Sequence, residues 1–346
     1  IGQMFAHALK RRGERVTIVG ATSGDTGSAA IEAFRGLDAV DVFIMFPDGR
    51  VSDVQRRQMT TPDDTNIHAL AVDGDFDDCQ ALLKDMFNDF DFRDDVKLAG
   101  VNSINWARVM AQVVYFFTSA VSLGAPHRKI SFTIPTGNFG DIFAGYVAKR
   151  MGLPIDRLVI ATNQNDILHR TLQSGDHKKM GVKPSISPSM DIEISSNFER
   201  LLFDLYDREG NAVIQLMDAL KEDGTFALSQ GAIQKLHDEF DSGRCSEAET
   251  SAQIKRSYED IGEVLCPHTA VAVNVANSIV RDETVPKITL ATAHPAKFPA
   301  AVEAACGVHP ALPERMDDLF ARDERMTKVD NNLGAIEALI RERISV

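Results

Sequence analysis

From Val16 onward, short runs of β-branched and aromatic residues alternate with stretches of helical period, and no other feature of the sequence narrows the fold as far. Residues 16–19, 42–46 and 67–72 have strand character, while 27–34 and the polar segment 52–59 carry helical spacing between them. That order is the pattern of parallel βαβ units, in which each crossover helix covers the sheet built by its flanking strands. A helix over 77–87 and a short strand over 96–100 extend the series. Residues 106–121, with Val109, Val113, Phe116 and Phe117, read as a helix buried on most sides and placed as a hinge between two lobes. A second series begins at 130–134 and runs through a helix over 141–150 to a strand over 158–162. Residues 174–196 are rich in Gly, Pro, Ser and Lys and lack a period, so they read as a long surface or lid-like loop. Helices are expected from 198 to 261 with a break at 242–246, followed by a last strand over 288–291 and a helix over 299–305.

Length decides the number of lobes. A chain of 346 residues with 44% hydrophobic content exceeds what one core usually supports, about 250–300 residues. The expected division is a smaller αβ lobe over 1–125 and a larger one over 126–346. A formal net charge of -13 repels phosphate backbones and anionic lipid, which disfavours nucleic acid and membranes as partners. Cys79, Cys245, Cys266 and Cys306 are scattered, with no C-x-x-C pair and no histidines at zinc spacing, so a reduced thiol set without metal is expected. No apolar run approaches the roughly 18 residues of a membrane span, and no basic-then-apolar leader opens the sequence. The expected location is the cytoplasm.

Strand-ending loops carry the chemistry, because a parallel sheet presents its binding crevice at the carboxyl ends of its strands. Ala21-Thr22-Ser23-Gly24-Asp25-Thr26-Gly27 follows the strand at 16–19 and precedes a helix. Its glycines let backbone amides approach a carboxylate or phosphate, and the helix N-terminus adds partial positive charge. An ordinary helix cap, with Asp25 or Thr26 satisfying the first amides, is the alternative. Pro135-Thr136-Gly137-Asn138-Phe139-Gly140-Asp141 is a second such turn, a cradle for a phosphate dianion or simply a glycine-rich turn. It is neither a Walker A loop nor G-x-G-x-x-G, which weakens nucleoside triphosphates and dinucleotides as ligands. The third, Thr289-Leu290-Ala291-Thr292-Ala293-His294-Pro295-Ala296-Lys297-Phe298, places the Thr292 hydroxyl where it could bond a ring nitrogen. His294 and Lys297 are open to plainer readings, a turn histidine and a solvated lysine. Between the first two loops, Asn102, Ser103 and Asn105 offer donors and acceptors, and Arg108 offers a fork for phosphate or carboxylate, or a partner for a nearby acid. Trp106 reads as packing.

In this order the motifs S-G-D-T-G, N-S-I-N-W-A-R, T-G-N-F-G-D and T-A-H-P-A-K-F resemble those of the threonine synthases of bacteria and fungi, from Ile1 to the C-terminal region. Asp73-Gly74-Asp75-Phe76-Asp77-Asp78-Cys79 and Ser189-Met190-Asp191 are similar too. The resemblance implies an α/β fold shared with tryptophan synthase β-chains and cysteine synthases: two open, twisted, mostly parallel sheet lobes with pyridoxal 5'-phosphate (PLP) in the cleft between them. It implies that Gly137, Asn138, Phe139, Gly140 and Asp141 hold the cofactor phosphate and that Thr292 bonds the pyridine nitrogen. Ser23, Gly24, Asp25 and Thr26 would receive the amino-acid carboxylate, and Asn102, Ser103, Asn105 and Arg108 would line the side chain and phosphate of the substrate.

The implied reaction converts O-phospho-L-homoserine and water into L-threonine and phosphate, the last step of threonine biosynthesis. In this family a Schiff-base lysine in an F-K-D motif lies a few residues before the helix that opens this sequence, and F-K-D does not occur here. Lys10 belongs to the polar face of that helix. Ile1, Phe5, Ala8 and Leu9 already read as mid-helix, so the expectation is a C-terminal segment whose lysine stands just upstream of Ile1. Two alternatives stay open: another enzyme of the fold, such as a threonine or serine dehydratase, and a lysine-less regulator that binds PLP or phosphate. A monomer or weak homo-oligomer is expected, with a small molecule as its partner.

Overall fold

The structure, a computed structural model, describes residues 1–22, 24–279 and 282–345. In chain order its strands are β1 (Val16–Ala21), β2 (Val40–Pro47), β3 (Ile67–Val72), β4 (Leu98–Gly100), β5 (Ile130–Pro135), β6 (Ile155–Thr162), β7 (Asp176–Lys178), β8 (Thr225–Ala227), β9 (Phe240–Arg244), β10 (Lys287–Thr289) and β11 (Thr327–Val329). They are distributed over two units, one made of Ile1–Asn102 with Leu312–Val346, the other of Ser103–Ala311.

In the first unit a five-stranded sheet runs in the order β11-β3-β2-β1-β4, and every neighbouring pair is parallel. Central β2 is buried along its whole length, because both faces of the sheet are covered and each side chain meets a core. Val40, Val42, Ile44 and Phe46 pack with Leu9, Ile31 and Phe34 on one face. Phe43 and Met45 alternate onto the other, with Val19, Leu70, Phe92, Ile336 and Ile340. Buried Asp41 interrupts this apolar run and is satisfied there. Its carboxylate accepts from Arg15 Nη2 at 3.3 Å and from Ser345 N and Oγ at 3.0 and 2.9 Å.

The second unit has a four-stranded parallel sheet ordered β10-β5-β6-β9 and an antiparallel pair, β7 with β8. Phe116, Phe132, Ile134, Phe139, Ile160 and Phe240 belong to the core on one face. On the other, helix Pro267–Ser278 sets Val271, Ala272 and Val275 against Val159, Ala161 and Cys245. Burial pushes the Cys79 and Cys245 thiols up to about 11, so neither is a nucleophile near neutral pH.

The parallel αβ class agrees with the sequence reading, and several local features differ from it. The expected division at 125/126 is replaced by one after Asn102, and the chain returns to the first unit at Leu312. The cause is pairing and packing: helix Trp106–Ser122 packs on helix Gly140–Arg150, and β11 pairs with β3. That first helix is not buried on most sides. Val109, Val113, Phe116 and Ala120 form its buried stripe, whereas Met110 and Val114 are exposed. The break read at 242–246 overlaps β9, an edge strand whose Asp241, Ser242 and Arg244 hide its character. Residues 174–196 contain β7 and are pinned at Asp191. That carboxylate accepts from Asn163 Nδ2, Asn165 Nδ2 and Ser185 N at 2.8 Å, and from Ser185 Oγ at 2.6 Å. Four donors on one carboxylate make a fastened loop, not a free lid.

Candidate active site

Adjacent parallel strands deliver the loops that follow them to one edge of a sheet, about 4.8 Å apart. In the second unit β5 and β10 are such neighbours, and their pairing continues where Leu290 N donates to Thr133 O at 3.0 Å. The loop after β5 and the loop after β10 therefore share an edge, although more than half of the unit's chain separates them.

The loop after β5 is shaped by Phe139. Its backbone lies in the left-handed region, at φ 64° and ψ 3°, which costs a non-glycine residue roughly 1 kcal/mol or more. Burial of its ring stabilises by about 2–3 kcal/mol and holds that conformation. The ring is 1% exposed, with the rings of Phe198 and Phe240 at 5.2 and 6.1 Å. The ring is committed to the core, which leaves the Phe139 backbone as what it offers the candidate site. Helix Gly140–Arg150 starts directly afterwards, and among the described residues the N–H groups of Gly137, Asn138, Phe139, Gly140 and Asp141 have no hydrogen-bond partner. Five consecutive unpartnered amides at a helix N-terminus are a candidate anion seat, favoured further by the helix dipole. The loop's carbonyls are held instead: Asn138 O accepts from Asn197 N and Nδ2 at 3.1 Å, and Gly137 O from Ser195 Oγ at 2.8 Å. Gly137 has to be glycine, since a Cβ there would lie 2.5 Å from Ser189 O.

The Asp141 side chain is engaged elsewhere, which leaves its amide as what it offers the candidate seat. The Tyr115 hydroxyl donates to Asp141 Oδ1. Burial lifts the Asp141 carboxyl to about 6, and the bond from Tyr115 partly opposes that rise. Burial raises the Tyr115 hydroxyl too, and the neighbouring carboxylate adds to the effect. Arg108, Gln112 and Tyr115 follow one another at helical spacing on one face of helix Trp106–Ser122. Gln112 Oε1 and Ser103 O lie 3.6 and 3.7 Å from where a Gly140 Cβ would stand, so this face borders the amide seat. Burial lowers the Arg108 pKa, and among the described residues no acid pairs with its guanidinium. A desolvated cation without a protein anion is suited to an anionic ligand.

Other expected residues are committed differently. Ser103 Oγ lies 3.2 Å from Ser196 Oγ, and Asn105 Oδ1 caps its helix by accepting from Ala107 N at 2.9 Å. Trp106 is not core packing. It is 49% exposed, with the Arg200 guanidinium 5.5 Å over its ring. On the loop after β10, Thr292 is exposed and its hydroxyl is not used by any described residue, while its N–H donates to Thr269 Oγ1 at 3.3 Å. His294 follows the plainer reading, its Nδ1 accepting from Ala296 N at 3.2 Å in the turn.

The remaining candidates lie in the first unit, where β1 and β4 are parallel neighbours and send the 22–27 loop and Asn102 from one sheet edge. Here Thr22 supplies the capping expected of Asp25 or Thr26: its Oγ1 accepts from Gly24 N and Gly27 N, both at 2.9 Å. Gly24 sits at φ 139°, a region that favours glycine. Asp25 Oδ1 accepts from Gln55 Nε2 at 3.2 Å. Ser23 lies outside the described residues. Sequence reading missed Thr22, Gln112 and Tyr115. Polar residues at i, i+4 and i+7 on an otherwise apolar helix were the available signal for the last two.

Comparison with known proteins follows the same lines. Residues 2–220 match the family of pyridoxal-phosphate dependent enzymes, and residues 269–340 match the C-terminal domain of threonine synthase. The threonine synthase of Pseudomonas aeruginosa is 53% identical over 341 residues, 98% of this chain and 73% of that protein. Among solved structures, PLP-bound threonine synthase from Brucella melitensis is similar over 100% of this chain and 74% of its own, with 56% identity and a TM-score of 0.97. Yeast threonine synthase is similar at a TM-score of 0.92 and 40% identity, over 99% of this chain and 74% of its own.

Proposed function

Since the chain belongs to the threonine synthase family of pyridoxal-phosphate-dependent enzymes, we propose that its residues convert O-phospho-L-homoserine and water into L-threonine and phosphate in the following way. The observation that carries the assignment of the cofactor seat is the run of unpartnered amides from Gly137 to Asp141 at a helix start, which fits a phosphate dianion. Thr292, with its backbone tied and its hydroxyl uncommitted, bonds the pyridine nitrogen. A hydroxyl can bond that nitrogen without the negative charge that would favour its protonation. When bound, PLP supplies the electron sink for negative charge that develops on the substrate's carbons. The chain's own part is binding and orientation. Gly24, Asp25 and Thr26 receive the substrate carboxylate, and Arg108 takes the substrate phosphate by a charge-assisted fork. Asn102 and Ser103 border the substrate side chain, and Asn105 serves with its amide nitrogen, its oxygen being held as the helix cap.

No helix among the described residues is long and apolar enough to cross a membrane. We further propose a cytoplasmic location, in keeping with the net charge of -13 and four free cysteines, and a monomeric or weakly associating state.

The test is product analysis of the PLP-loaded protein given O-phospho-L-homoserine. Equal amounts of threonine and phosphate support the assignment. Release of a ketoacid when threonine or serine is offered instead would make it a dehydratase, and tight PLP binding with no turnover by a protein that carries the F-K-D lysine would make it a regulatory binder.

A further inference from the structure

One turn of chain touches one candidate cofactor loop of the second unit directly and reaches the other through Ser189. Cys266 caps helix Pro267–Ser278, its Sγ accepting from Thr269 N at 3.4 Å and lying 3.1 Å from Thr269 Oγ1. That Thr269 hydroxyl accepts the Thr292 N–H at 3.3 Å. One residue earlier, His268 Nε2 accepts from Ser189 N at 3.1 Å, and Ser189 O is the atom against which Gly137 packs too closely for any side chain. The imidazole also meets Phe298, at the end of the Thr292 loop, with ring centroids 4.8 Å apart. Cys266, His268 and Thr269 are all buried, at 1, 4 and 5% exposure, while their partners Ser189 and Thr292 are exposed, so the two bonds are part-buried.

We propose that the turn Cys266-Pro267-His268-Thr269 is a bracket that fixes the spacing between the amide seat at 137–141 and the Thr292 hydroxyl, with Thr269 and His268 as positioning residues. The inference rests on the cofactor-site reading above. A ligand that spans both loops, a phosphate joined to an aromatic ring, depends on that spacing, whereas a free phosphate depends on one loop alone. Thr269 acts on the ring end through Thr292. His268 acts on the phosphate end through Ser189.

The experiment compares two probes, PLP and inorganic phosphate, titrated calorimetrically into the protein and its variants. Thr269→Val removes the acceptor for Thr292 N–H while keeping the side chain's shape. It is expected to weaken PLP binding about fivefold and leave phosphate binding unchanged, and Thr269→Ser restores PLP affinity. In a Thr292→Ala background, Thr269→Val costs nothing further, because both act at one point. His268→Ala weakens both probes by a common factor. The bracket is overturned if Thr269→Val binds PLP as the wild type does, if it loses both probes in equal proportion, or if its effect adds to that of Thr292→Ala. A wild-type protein that binds neither probe overturns the cofactor-site reading, and the bracket with it; binding by wild type with no effect of Thr269→Val overturns the bracket alone.

Discussion

Tyr115 donates its hydroxyl proton to the carboxyl of Asp141, one residue into the helix whose free amides make the anion seat. The bond turns the Asp141 side chain to a tyrosine on a neighbouring helix, while its N–H has no partner among the described residues. It also leaves a carboxyl in poor solvent, where burial lifts it to about 6 from an ordinary 3.8.

The raised value sets a sign for pH dependence. Between about 4 and 6 the folded chain binds a proton at Asp141 that the unfolded chain has lost, so this group's contribution to stability falls as pH rises through that window. Asp141→Asn keeps an acceptor for Tyr115 and removes the charge. It should therefore be more stable than wild type at pH 8, by about 1–3 kcal/mol, and equal to it near pH 4. Thermal melts of both proteins across that range check this; parallel curves would show that Asp141 ionises normally.

Gly137→Ala places a Cβ 2.5 Å from Ser189 O, a backbone atom that cannot swing aside. The expected cost is about 1–3 kcal/mol of stability. Loss of PLP affinity should accompany it, since the first amide of the seat shifts. Denaturant titration together with PLP titration reads both, and an unaltered protein would mean that the loop moves freely against Ser189.

Thr292→Ala leaves the Thr292 N–H bond to Thr269 possible and deletes only the hydroxyl. Turnover should fall by about a hundredfold or more, while PLP affinity changes by about fivefold. Unchanged turnover would remove Thr292 from the site.

Arg108→Ala deletes a desolvated guanidinium that no described acid neutralises. KM for the phosphorylated substrate should rise about 10- to 100-fold with PLP affinity within twofold, and Arg108→Lys should recover only part, because a lysine lacks the planar fork. Steady-state kinetics and PLP titration separate this outcome from a purely structural role, in which both constants would move together.

Asp191→Ala strips one acceptor from Asn163, Asn165 and Ser185 at once. Since Asn163 is fully buried, the expected cost is about 2–4 kcal/mol, seen as a lowered denaturation midpoint.

What the sequence determined by itself was the part governed by local pattern. The apolar runs of β1, β2, β5 and β6 and the helical spacing between them specify a parallel αβ fold, because strands covered on both faces must be apolar throughout. Glycines and hydroxyls at strand ends marked the loops at 24–27 and 137–141 and the threonine at 292 as candidates, since a backbone open to close approach can be recognised by what it lacks. Only the tertiary structure decided matters that depend on partners distant in sequence. It put Leu312–Val346 with the first unit, because the short, polar Thr327–Val329 becomes a strand only beside β3. It made Phe240–Arg244 a strand through its pairing with β6. It gave the capping of the first loop to Thr22, the Asp141 carboxyl to Tyr115 and the Thr292 amide to Thr269. Hydrogen bonds of that kind have no period and no composition, and they exist only once packing has brought the two groups within reach.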